Sequence, residues 1–294
     1  MLLERLYKGD VLCRVTFGIT LYLPQAPTRD EVMRAYSVYR NHCPPDCRHL
    51  ITTVRTPLYL PLDADDLSHV HRSLSMQDRR HDEGIVIWDG KPAEHWMFWI
   101  QGWLDPKLGA DTASFCQIQL PEDTDCEVLY GLARGLADEL PLLSGHAGYT
   151  VQFDARLKNA AFDQIYAWAK RYLGVEVEDL NLTLPLMRDA IKGANWLTLV
   201  GHNLWAQLMD HPDRAHELPE GVTYERLQYA GLFRAGVKPV LGDRNRRDFP
   251  YLYAVMEKVL RPLKLQHHPE FAGRFGREQA TEAWLYRLLD PARW

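Results

Sequence analysis

From Cys13 to Leu23 every odd-numbered position is apolar (Cys13, Val15, Phe17, Ile19, Leu21, Leu23), while the even positions include Arg14, Thr16, Gly18 and Thr20. Side chains along a strand point alternately to opposite faces, so this run predicts a half-buried strand. Thr28 stands three residues before Glu31, the spacing of a capping box. Val32, Met33, Tyr36 and Tyr39 follow at helical spacing, and Pro44-Pro45 ends the helix. A second extended run covers residues 50 to 60. A similar order recurs about a hundred residues on: FCQIQL at 115 to 120 reads as a strand, and Thr124 with Glu127 reads as a second capping box. The helix it opens carries Leu129, Leu132, Ala133, Leu136 and Leu140 on one face, and after Gly145 and Gly148 the residues Tyr149, Val151 and Phe153 alternate as a strand. The two strand-helix-strand units are either a duplication or independent elements in the same order.

Between the units, IVIW and HWMFWIQGW flank the turn Asp89-Gly90-Lys91-Pro92 and predict a hairpin dense in aromatics. Trp88, Trp96, Trp99 and Trp103 fit core and sheet-face packing, with a ligand platform as the alternative. Helices are predicted over 160–173, 249–262 (Pro250 in the first turn) and 277–289. No low-complexity linker divides the chain. The expected fold is α+β, with mixed or antiparallel sheets flanked by helices, in one domain over 1–294; a bilobed division near residue 110 is the variant of this reading.

Composition adds bounds. A chain of 294 residues with 46% hydrophobic and 25% charged residues is ordinary for a globular protein able to bury a core. Glu4 and Arg5 interrupt any signal-like apolar run and no stretch is long enough to span a bilayer, so the expected location is the cytoplasm, with no membrane partner. Five cysteines at low density fit reduced thiols. The net charge of −5 is unevenly spread: residues 105–139 hold eight acids against Lys107 and Arg134, a local −6, and residues 234–277 hold ten bases against four acids, a local +6. Such asymmetry fits either solvated helix faces or an acidic face for a basic partner.

Candidate chemistry is sparse. His42-Cys43-Pro44-Pro45-Asp46-Cys47-Arg48-His49 crowds two cysteines and two histidines into one loop, but a structural zinc site draws ligand pairs from separate elements and no second pair stands out. His267-His268 reads as a surface loop. Asp243, Asn245 and Asp248 precede a helix, where Asx turns and capping account for them, and Arg244, Arg246 and Arg247 would repel a cation. No nucleophile elbow, metalloprotease helix or glycine-rich phosphate loop is present, so no catalytic residue, cofactor or metal is expected. Basic residues 244–247 and 258–264 make nucleic-acid binding conceivable, but a pI near 6.2 and the lack of a known module argue against a direct nucleic-acid partner.

Three segments carry a resemblance: GANWLTLVG at 193–201, AGVKPVLGDRNRRDFPYLYAVMEKVLRPL at 235–263, and Glu278-x-x-Thr281-Glu282-x-Trp284-Leu285. In these the chain resembles bacterial type VI secretion immunity proteins, the family associated with VRR-NUC nuclease effectors. The resemblance implies an inhibitor, not an enzyme, that binds a cognate toxin one-to-one and occludes its active site or substrate path. A nuclease must offer phosphates a basic groove, so carboxylates are the expected contacts: Asp63, Asp65 and Asp66 in the PLDADD turn, and Glu122, Asp123 and Asp125. Glu127 is expected to be occupied by its cap. Trp196 and Trp284, in apolar parts of the resembling segments, are expected in the core. Two rivals remain: an enzyme assembled from distant residues such as His146 and Asp243, and a small-molecule module using the tryptophan-rich hairpin.

Overall fold

The alternating run near the N-terminus becomes the middle of a wide sheet, with both of its faces covered. A computed structural model describes residues 3–44, 49–51, 59–61, 65–76, 82–89, 93, 95–103, 111–211 and 217–294. The run forms β2 (Asp10–Leu23), and β1 (Glu4–Tyr7) folds back on it. The remaining strands are β3 (His49–Ile51), β4 (Tyr59–Pro61), β5 (Asp82–Trp88), β6 (Met97–Trp103), β7 (Ser114–Leu120), β8 (Ser144–Phe153), β9 (Leu197–Gly201), β10 (Val222–Arg226) and β11 (Ala230–Ala235). Among the described residues these form one sheet in the order β10-β11-β9-β8-β2-β7-β6-β5-β3-β4, with every pairing antiparallel. The helices are α1 (Arg29–Arg40), α2 (Asp66–Met76), α3 (Cys126–Glu139), α4 (Lys158–Arg171), a single turn α5 (Leu180–Thr183), α6 (His202–Asp210), α7 (Tyr251–Leu260) and α8 (Ala280–Leu285). The fold is α+β.

The two strand-helix-strand units interleave. β7 and β8 flank β2 on either side, so strands of both units share one sheet, and α1 and α3 lie side by side on one of its faces. There Phe17, Ile19 and Leu21 of β2 and Ile118 and Leu120 of β7 meet Val32, Tyr36 and Tyr39 of α1 and Leu129, Leu132 and Leu136 of α3, all buried. Gly135 lets the helices approach: a Cβ there would stand 3.0 Å from Val38 Cγ1.

The half-buried reading of β2 is corrected on the other face, where Thr16 and Thr20 are also buried. The chain from Tyr172 to Trp196 crosses this face. It is tied down by a bridge between Thr150 and Glu176, by Tyr22 to Glu178 (2.7 Å), by Ser144 to the Ala190 carbonyl (3.2 Å), and by Ala113 N–H to the Leu184 carbonyl (3.1 Å). Gly18 and Gly148 pair across β2 and β8, and at each a Cβ would collide, with Thr150 Cγ2 at 2.2 Å and Asn195 Oδ1 at 2.1 Å respectively. Polar positions are buried here because their partners arrive from elsewhere in the chain: Thr16 donates to Gln119 Oε1 (2.6 Å).

Several boundaries differ from expectation. The Thr28–Glu31 capping box forms, but α3 is capped by Asp125, whose Oδ1 accepts from Glu127 N (3.0 Å), in place of Thr124. The segment 49–61 contains two short strands. The predicted helix 277–289 shrinks to α8 because Glu278 and Gln279 both adopt left-handed φ (54° and 58°), which a helix cannot include. β5 and β6 pair as predicted from Asp82–Trp103 to Trp88–Met97; residues 90–92 of the turn lie outside the described residues. Trp88, Trp96, Trp99 and Trp103 are half-buried, and Trp99 meets Phe115 edge-on at 4.9 Å. Trp196 and Trp284 are fully buried.

Candidate functional site

The turn from β7 into α3 presents the acids that could meet a partner. Thr124 N–H bonds back to the Pro121 carbonyl (3.1 Å), closing a turn over Glu122 and Asp123. Glu122 is half-buried, near Tyr149 and near His95, a site that also feels Arg14, Asp89 and Glu4; Asp123 and Asp125 are exposed. Asp125 spends one oxygen on the α3 cap.

The rest of the acidic segment is largely spent inside the fold. Glu127 is not a capping-box partner: it pairs with Arg234 (2.5 Å), which is stacked over Tyr130 and Trp196. Glu139 pairs with Arg34 (2.8 Å), and Asp138 accepts from Gln228 N (3.1 Å). Asp105 lies outside the described residues. The local −6 therefore overstates the charge on offer, and among the described residues Asp111, Glu122 and Asp123 carry most of the remainder.

In the PLDADD turn, Asp63 lies outside the described residues and Asp65 is exposed just before α2. Asp66 does not belong to the surface. It is fully buried, accepts the Tyr36 hydroxyl (2.7 Å) and pairs with Arg40 (2.6 Å), so its carboxylate ties α2 to α1.

Sequence reasoning missed a buried ionic cluster. Lys192 Nζ lies 3.1 Å from Glu176 and 3.0 Å from Glu178, Arg287 lies 2.9 Å from Glu176, and Tyr22 donates to Glu178. His146 Nε2 stands 3.8 Å from Glu178. Each of these ionisable residues is buried. Burial pushes the Glu176 carboxyl up, but Lys192, Arg287 and His146 outweigh it and hold it down at about 2. Burial likewise works against Glu178, and Lys192 and His146 lower it. Burial lowers His146. All three shifts act on stability in the same direction, because the unfolded chain binds more protons than the folded one. Stability is complete above the ordinary values and lost on acidification, His146 contributing below 6.5 and Glu176 between 4.5 and about 2. Urea midpoints measured against pH should therefore be flat near neutrality and fall in those two windows. A midpoint that rises on acidification would exclude this arrangement.

The cluster is a clasp between sheet and C-terminal third. His146 faces Glu178, while both oxygens of Asp243 accept from Arg171 (2.9 and 2.8 Å), so His146 and Asp243 are engaged separately. Asp243 also accepts from Asn245 N (3.0 Å), which makes it the cap of a short turn. Asp248 bonds back to the Asp243 carbonyl through its N–H (3.0 Å). His268 lies against Phe271 and Thr183. Cys43 is buried with Sγ toward the Pro44 carbonyl, and Cys47 lies outside the described residues. Cys13, Cys43, Cys116 and Cys126 are free thiols; burial pushes Cys13 up to about 12 and raises Cys116. Among the described residues no group of three potential metal ligands converges.

The family model for TsiV, type VI immunity for VRR-NUC, matches residues 31–288. The chain belongs to the TsiV family. Its fold is similar to that of a T6SS protein of Pseudomonas aeruginosa, with a TM-score of 0.80 over 99% of this chain and 90% of that one, at 17% identity. A search of curated proteins finds no match. Immunity toward a VRR-NUC effector is thus the function of this TsiV chain, and the resemblance in the three C-terminal segments is accounted for. Two cations of the clasp flank those segments: Lys192 just precedes GANWLTLVG, and Arg287 just follows Trp284-Leu285. A lone basic residue beside an apolar run was the only signal the sequence offered. Among the described residues, no helix is long and apolar enough to cross a membrane.

Proposed function

We propose that this TsiV protein, acting in the cytoplasm as one structural unit, binds its VRR-NUC effector one-to-one and blocks the active site or the path to it, without modifying the effector. The family match carries this reading. The surface supports it through the turn with exposed Asp123 and Asp125 and half-buried Glu122, whose carboxylates suit the basic groove a nuclease uses for phosphates. Blocking requires neither catalysis nor direct contact between this chain and nucleic acid.

The test is charge reversal at Glu122→Lys and Asp123→Lys with Asp125→Asn, the last chosen because asparagine keeps the α3 cap. The association rate with a catalytically inactive effector should fall by about ten-fold or more at low salt and lose much of its salt dependence, at unchanged melting temperature. If binding is unaffected, the contact lies elsewhere and Asp65 is next. If the effector does not bind, or if substoichiometric amounts inactivate it, the inhibitor reading fails.

A further inference from the structure

The +6 segment meets the end of α4 in a notch where Arg274 and Arg277 bring two guanidinium groups that the fold does not use. Its floor is Trp294. The indole Nε1 donates to the Ala169 carbonyl (2.9 Å), the ring stacks on Phe275 (5.7 Å between centroids), and Tyr166 meets it edge-on at 5.5 Å. Lys170 lies over the same ring at 4.2 Å, and both Lys170 (2.6 Å) and Arg244 (3.3 Å) donate to the Trp294 carbonyl. Above the floor is a depression of about 370 Å³ lined by Tyr166, Lys170, Arg274, Arg277, Glu278 and Arg293, among others.

Arg274 and Arg277 are exposed, and among the described residues neither guanidinium has a partner; the Arg274 backbone N–H, by contrast, is fixed to Asp163 (2.9 Å). Arg293 shares Glu282 at 3.0 Å. With Arg293 paired to Glu282, the lining is left with Lys170, Arg274 and Arg277 against Glu278. The rim is held by strained backbone, since Glu278 and Gln279 sit consecutively at left-handed φ, a conformation costly for residues with side chains and one that recurs at ligand sites. Burial and then Arg244 lower Lys170, the response of a cation that lacks a counter-charge.

We propose that this notch binds a phosphate-bearing anion. A carboxylate brings one negative charge to a lining with a surplus of two, whereas a phosphate or pyrophosphate group brings two or more and presents the oxygen geometry that guanidinium forks match bidentately. The same chemistry is offered by free phosphates and by a nucleic-acid backbone.

Inorganic pyrophosphate serves as the probe for the full-length protein, titrated calorimetrically at constant ionic strength with sodium chloride as the balance. Saturable binding is expected, weakened about ten-fold or more in Arg274→Gln/Arg277→Gln. Both side chains are exposed, so the variant should keep the wild-type melting temperature without ligand. If a labelled oligothymidylate also binds, is displaced by pyrophosphate and is lost in the same variant, the phosphate source includes a nucleic-acid backbone; if only pyrophosphate binds, it is a free phosphate. Absence of saturable binding at millimolar pyrophosphate, or equal affinity in the variant, would overturn the proposal. This test is independent of whether the effector binds.

Discussion

Lys192→Met should destabilise the protein by about 3–5 kcal/mol, the scale for removing one partner of a buried ion pair. Lys192 is the shared cation of Glu176 and Glu178, and it also donates to the Val177 carbonyl (2.5 Å). Methionine fills much of the volume but leaves Glu178 with the Tyr22 hydroxyl and a neutral His146. Adding Glu178→Gln to the methionine variant should recover part of the loss, because the uncompensated charge disappears. Urea unfolding with an unchanged slope is the measurement. A loss below about 1 kcal/mol would show that the cluster is screened or rearranges.

Trp284→Ala should cost a similar amount, about 3–5 kcal/mol, by emptying a fully buried site. The ring meets Phe271 at 5.6 Å and Phe275 at 6.3 Å, and the Arg287 guanidinium lies 4.1 Å from its centroid. Truncation therefore opens a cavity and removes the surface on which the clasp arginine rests. Soluble yield and melting temperature should fall, while whatever folded protein remains should still bind effector. Wild-type stability combined with lost binding would place Trp284 at the partner interface.

Local periodicity made the central strand, α1 and the tryptophan hairpin legible, because those features depend on residues a few positions apart, and the apolar parts of the resembling segments marked Trp196 and Trp284 as core. What escaped depends on residues far apart. Arg14, Thr16 and Thr20 looked like a wet face because nothing near them announces Gln119 or the crossing chain from Tyr172 to Trp196. The sequence places the cap of α3 at Thr124, whereas Asp125 takes it and Glu127 turns to Arg234, 107 residues away. The candidate site divides the same way. Asp123 and Asp125 are exposed, as a turn of acids suggests, but Asp66 is taken by Tyr36 and Arg40, and the charge count of residues 105–139 could not show which acids were already committed.

The placement of β2 has a consequence for the timing of folding. Its neighbour β8 lies more than a hundred residues downstream, and Glu176 gains Arg287 only after a further 111 residues have emerged. Such distant pairings close slowly, and a nascent chain must wait for them with apolar strand faces exposed. A partly translated copy therefore has no route to the finished sheet. Protection against an incoming toxin should depend on the stock of completed molecules already in the cell, and a pulse of new synthesis would help only after a lag.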